Sequence, residues 1–116
     1  MTDFKEISDC PITLTLAFIG GRWKTVILYI LADRTLRFGE ISARIPAVSR
    51  KVLTEQLKEL ERDGLVIRKK FGEIPPRVEY SVTDFGKSLD SVLRQMEKWS
   101  MDRNTTQKLN SKISTP

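Results

Sequence analysis

Two groups of residues in this chain carry side chains able to do chemistry. The first is a single thiol, Cys10, in the run Ser8-Asp9-Cys10-Pro11-Ile12-Thr13. A thiolate can act as a nucleophile, a metal ligand or a redox centre. The chain has no histidine and no second cysteine. The thiol therefore lacks its customary base for covalent catalysis, and a zinc site would need carboxylates alone. There is no phosphate-binding glycine loop and no Gly-x-Ser-x-Gly elbow, and Gly20-Gly21 is only a pair. Catalysis, a metal site and a cofactor are not expected. Two roles stay open for Cys10: a sensor of oxidants or electrophiles, or a small residue packed near an interface. Pro11 suits a first helical position, which puts Cys10 at an N-cap. The helix dipole there favours thiolate, and Asp9 opposes it.

The second group lies in residues 49–63. Ser49 is a good helix N-cap, and Gly64 a natural C-terminal stop. At about 100° per residue, Leu53, Leu57 and Leu60 fall within roughly 60° of one another. Lys51, Glu55, Lys58 and Arg62 fall within about 50° of the opposite pole, with Thr54 at the edge. A helix about 10–12 Å across fits the DNA major groove. Lysine and arginine can donate to guanine, a carboxylate can accept from cytosine N4, and a hydroxyl can do either. Ser49, Arg50 and Lys51 at the helix start suit phosphates. Arg68, Lys69, Lys70 and Arg77 follow in what reads as a hairpin. Phosphate contacts position such a module, and base contacts specify sequence. A charged outer face is also what any surface helix shows. Glu59, Glu61 and Asp63 are read here as doing no more than keeping the helix soluble.

These residues need elements to hold them. Residues 1–9 read as a polar arm with Phe4 and Ile7 as anchors. Residues 10–19, apolar nearly all round, read as a short helix that needs cover on every side. Residues 22–32 read as a helix with Trp23, Ile27, Ile30 and Leu31 inward. Leu36 to Phe38 reads as a minimal strand, and 38–44 as a helix with Phe38, Ile41 and Ile45 on its core face, stopped by Pro46. The tight link to Ser49 resembles a helix-turn-helix. Residues 65–71 and 77–82 alternate as paired strands, with Leu65, Ile67, Val78, Tyr80 and Val82 inward. Thr83 caps a final helix whose broad face holds Phe85, Leu89, Val92, Leu93, Met96 and Trp99. Residues 101–116 read as a polar, aperiodic, flexible tail, leaving 1–100 as one domain.

The bulk numbers agree. The 116 residues suit one domain, and 40% hydrophobic with 30% charged suits a globular chain. No apolar run is long enough to span a membrane, and no signal peptide is evident. An intracellular, cytoplasmic protein is expected. Twenty lysines and arginines against 15 acids leave +5, which points to an anionic partner, nucleic acid first. The first helix and the far end of the last leave surplus apolar surface. Ile12, Leu16, Ile19, Leu89, Val92, Leu93, Met96 and Trp99 are the candidate interface of a twofold dimer. Such a dimer sets two recognition helices about 34 Å apart. A small-molecule effector could enter near Trp23 or Phe18. The competing reading is a winged-helix module for protein or RNA without operator binding.

Four stretches in order carry a family resemblance over about residues 10–100. They are "CPITLTLAFIGGRWK", "LRFGEISARIPAVSRKVLTEQLKELERDGLVIRK", "PPRVEYSVTDFGKSL" and "MEKWS". Together they resemble the HxlR-type transcriptional regulators, a branch of the MarR-like winged-helix proteins. Arg22 stands where lysine is more usual, and the tail matches nothing. The resemblance implies a mainly α, α+β fold: a winged helix-turn-helix with a two-stranded wing and N- and C-terminal dimerisation helices. It implies a recognition helix from Ser49, a wing around 69–77, a homodimer and a palindromic double-stranded DNA operator. It also implies bacterial cytoplasm, with repression the expected direction. Some relatives use the matching cysteine as a sensor, so both roles for Cys10 stay open.

Overall fold

Proline and glycine delimit the first helix of this computed structural model, which describes residues 5–113. Cys10 is its N-cap, Pro11 its first residue, and Gly20 ends it by donating to the Leu16 carbonyl at 2.6 Å. This helix, α1 (Pro11–Ile19), buries only Ile19 and leaves Ile12, Leu14 and Leu16 more than half exposed. Ile7 lies in a 3-10 turn (Ile7–Asp9) and is 77% exposed, so it anchors nothing. Phe4 lies outside the described residues. Gly21 (φ +95°) turns the chain into α2 (Lys24–Leu31), where Ile27, Leu28 and Leu31 are buried. Among the described residues no single helix is long and apolar enough to cross a membrane.

Next come α3 (Phe38–Arg44) and α4 (Arg50–Arg62), the helix-turn-helix. Ile45 and Val48 in the turn are buried in the same core cluster as Ile41. Ser49 caps α4 by accepting from the Val52 amide at 3.1 Å. Leu53, Leu57 and Leu60 are fully buried, stabilising α4 by roughly 1.5–3 kcal/mol each. At its end Gly64 (φ +77°) donates to Glu61 at 3.1 Å and Leu65 donates to Leu60 at 2.9 Å. This paired closure needs the left-handed backbone that glycine adopts freely.

The wing is β1 (Val66–Phe71) antiparallel to β2 (Arg77–Val82), with Val66 opposite Val82 and Phe71 opposite Arg77. The expected inward phase of β1 is off by one. Leu65 is buried, but so is Val66, and Ile67 is half exposed. Leu65 is buried as part of the α4 closure; the pleat starts only at Val66, which resets the alternation. Leu36 adds one bridge to the other edge of β2, donating to and accepting from Tyr80 at 3.0 and 2.8 Å.

The single final helix expected from sequence is broken in two: α5 (Asp84–Lys87) and α6 (Asp90–Met101). Thr83 caps α5, accepting from the Gly86 amide at 3.0 Å and donating to the Gly64 carbonyl at 2.5 Å. Residues 103–113, read as an aperiodic tail, form α7 (Arg103–Ile113). Asp102 explains its start: its carboxylate accepts from the Asn104 and Thr105 amides at 3.0 and 3.2 Å. Residues 103–113 contain no glycine or proline.

Candidate nucleic-acid interface

With its leucines buried, α4 turns Arg50, Lys51, Glu55, Lys58 and Arg62 outward, all exposed. Lys51 and Lys58 have no ion-pair partner among the described residues. Their charge is free for an incoming anion. Two neighbours are partly committed. Arg50 lies over the Phe38 ring at 4.8 Å, and the Thr54 hydroxyl donates to the Arg50 carbonyl at 2.7 Å. Stacking steers the Arg50 fork across the start of α3, and Thr54 keeps only its acceptor capacity.

Glu59 does more than keep the helix soluble. Lys24, 8% exposed, donates to it at 3.1 Å, and Gln56 donates to its second oxygen at 3.2 Å. Arg62 stands 3.9 Å away. The pair ties α4 to α2 across 35 residues of sequence. A signal for it was present: Lys24, Ile27, Leu28 and Leu31 recur at helical spacing, so the lysine sits on the buried stripe. A lysine there must meet a carboxylate or reach water.

The wing divides its cations. Arg68, Lys69 and Lys70 on β1 are exposed. Arg77 on β2 is not free: its guanidinium lies 3.3 Å from Glu73 and 3.6 Å from Glu79, and covers the Phe71 ring at 4.2 Å. Sequence reasoning grouped the four; the fold pairs the last one.

The candidate interface residues divide as well. Ile12, Leu16, Val92, Met96 and Trp99 are exposed on α1 and α6. Ile19 and Leu93 belong instead to the core of the single chain, and Leu89 packs against that core. The α6 stripe is broader than one contact needs, so its inner edge closes the domain and its outer edge stays uncovered. Phe18 meets Phe85 edge-to-face at 5.7 Å, beside a shallow cleft of about 250 Å³ lined mainly by Leu14, Leu65 and Leu89. Trp23 packs on the core and does not line that cleft.

Cys10 is half-buried at the start of α1. The Thr13 backbone amide, then that of Ile12, hold its thiol below the ordinary value by favouring thiolate; partial burial opposes them. Thiolate therefore persists to lower pH than in an open chain. The rate of iodoacetamide alkylation is expected to rise through a midpoint below the ordinary thiol value. In urea the amides no longer converge, and the midpoint should return to that value. Equal midpoints in the two states would remove the helix-cap account. No group of three metal-ligating side chains converges among the described residues.

Comparison with known proteins places this geometry. The family model described as HxlR-like helix-turn-helix matches residues 18–108. The HTH-type transcriptional regulator YdeP of Bacillus subtilis is 44% identical over 94 residues, covering 81% of this chain and 73% of its own. The redox regulator HypR in its oxidised form has a TM-score of 0.76 and 43% identity, over 78% of this chain and 94% of that one. Quinone-bound YodB from B. subtilis has a TM-score of 0.67 and 35% identity, over 78% and 97%. These are regulators, not enzymes, and the family model's match spans the helix-turn-helix, the wing and α6. The chain belongs to the HxlR-like helix-turn-helix family of transcriptional regulators, within the MarR-like winged-helix fold.

Proposed function

We propose that this protein is a sequence-specific, double-stranded DNA-binding repressor. It acts as a homodimer on a palindromic operator, in the cytoplasm where that DNA lies. One observation carries the reading. Leu53, Leu57 and Leu60 of α4 are buried, while Lys51, Glu55 and Lys58 stand exposed beside three exposed wing cations, Arg68, Lys69 and Lys70, of which Lys69 lies over the Phe71 ring at 5.4 Å. That arrangement supplies both a base-reading helix and phosphate contacts. The exposed apolar edge of α1 and α6 supports the homodimer.

The thiol supports regulation. Cys10 caps α1, which buries only Ile19 in the single chain. Oxidation or an electrophile at Cys10 would change the charge and volume at the start of a dimer helix, and so the spacing of the two α4 helices. The likeness to a redox regulator and to a quinone-bound one favours this over a packing role. A Cys10→Ser variant that still releases DNA on oxidant treatment would end it.

The test of DNA binding is a salt titration on genomic fragments selected by the purified chain, with competitor DNA present. Log affinity should fall linearly with log salt, with a slope of about −0.9 per phosphate neutralised. Lys51→Ala is expected to weaken binding by about 1–3 kcal/mol while the fold is retained. Equal, weak binding to every duplex would defeat the operator reading.

A further inference from the structure

We propose that the wing tip enters the minor groove through Ile74 as an apolar wedge, and that Arg77 is a positioning residue rather than a phosphate contact. This rests on the DNA-binding reading above. The tip, Gly72-Glu73-Ile74-Pro75-Pro76, contains no cation. Its one charge is Glu73, which would repel phosphate. Arg77 removes that repulsion, with its guanidinium 3.3 Å from the Glu73 carboxylate. Phe71 beneath and Glu79 alongside hold the guanidinium in place, and the Arg77 side chain is only 28% exposed. The two carboxylates offset its charge, and its Nε is buried without a hydrogen-bond partner, so the guanidinium faces the tip and the ring rather than an incoming phosphate.

Ile74 is the opposite case. It is fully exposed, at 101%. An isoleucine at a loop tip covers nothing in its own chain. Pro75 and Pro76 beside it carry no backbone N–H, so the tip sheds few hydrogen bonds to water on entering a groove. Isoleucine and proline are among the side chains that proteins insert between base steps from the minor groove. Arg68, Lys69 and Lys70 stand on the strand leading to the tip and can hold the flanking phosphates. The tip is thus a neutral, apolar point on a basic support. It suits flexible pyrimidine–purine steps, which unstack most easily. Specificity at the wing would then come from deformability rather than from hydrogen bonds to bases.

The experiment uses the full chain and a duplex selected by the wild type. Ile74→Ala should bind about tenfold more weakly with the salt slope unchanged, because the lost contact is apolar. Lys69→Ala should instead reduce the slope by about 0.9. Hydroxyl-radical footprints of Ile74→Ala should lose protection in the minor groove flanking each half-site. Arg77→Gln should weaken binding by exposing Glu73, and Glu73→Gln in the same chain should restore it. An Ile74→Ala variant with wild-type affinity and footprint overturns the wedge. An Arg77→Gln defect that Glu73→Gln does not rescue, with a reduced slope, makes Arg77 a phosphate contact and overturns its positioning role. Failure of the wild type to select any duplex overturns the parent reading, and is seen before any variant is compared.

Discussion

Trp99→Ala is expected to raise the dissociation constant of the proposed homodimer about 30-fold or more, with the single chain still folded. Trp99 is 63% exposed on α6, one turn from Met96 and two turns from Val92, both also exposed. Its ring contributes little to the core of one chain, so removing it leaves no cavity there. In a dimer the same ring would be a large apolar anchor, and tryptophan at such a centre commonly carries ~2–4 kcal/mol. By affinity arithmetic each 1.4 kcal/mol is about tenfold. Sedimentation velocity over a dilution series measures it directly. A mass that stays dimeric at the same concentrations as the wild type would show that this face is not the interface. Leu93 on the same helix cannot serve as this test. It is 8% exposed within the chain, and Leu93→Ala should cost the monomer ~2–5 kcal/mol through a cavity.

Gly86→Ala should destabilise the folded chain by at least about 1–3 kcal/mol. A Cβ at Gly86 would overlap the Leu65 carbonyl oxygen and Val82 Cγ1. A side chain can rotate away, but the Leu65 carbonyl is backbone and is already engaged, accepting from the Thr83 amide at 3.1 Å. Relief would have to move α5 as a body. That would disturb the Thr83 hydroxyl, which joins the Gly86 amide to the Gly64 carbonyl at the end of α4. The consequence therefore reaches α4. Urea unfolding should show a lower midpoint at an unchanged slope. Gly39→Ala is the contrast. A Cβ there meets nothing within 4 Å, and alanine is the better helix former, so that variant should gain up to about 1 kcal/mol. Equal midpoints for the two variants would refute the close-approach account.

Much of the site was legible before any fold was known. Ser49 and Gly64 announced both ends of α4, because caps are local hydrogen-bond problems solved within a few residues. The leucine spacing announced which face would be outward, because helical periodicity is fixed by backbone geometry. The Cys10-Pro11 pair announced an N-cap for the same reason.

What stayed hidden depends on where two distant segments meet. The sequence by itself determined the helix-turn-helix, its charged face, the existence of a basic wing and the family. Only the tertiary structure decided that Glu59 belongs to Lys24, that Arg77 belongs to Glu73 and Glu79, and that Ile19 and Leu93 face the core while Trp99 faces out. It alone placed Gly86 against the Leu65 backbone and split the last helix just after it, at Ser88-Leu89. The physical reason is one of range. Propensity, capping and periodicity act over one or two turns of chain and can be read along it. The partner of a charge and the cover of an apolar face are set by which elements cross in space, and a one-dimensional pattern does not contain that.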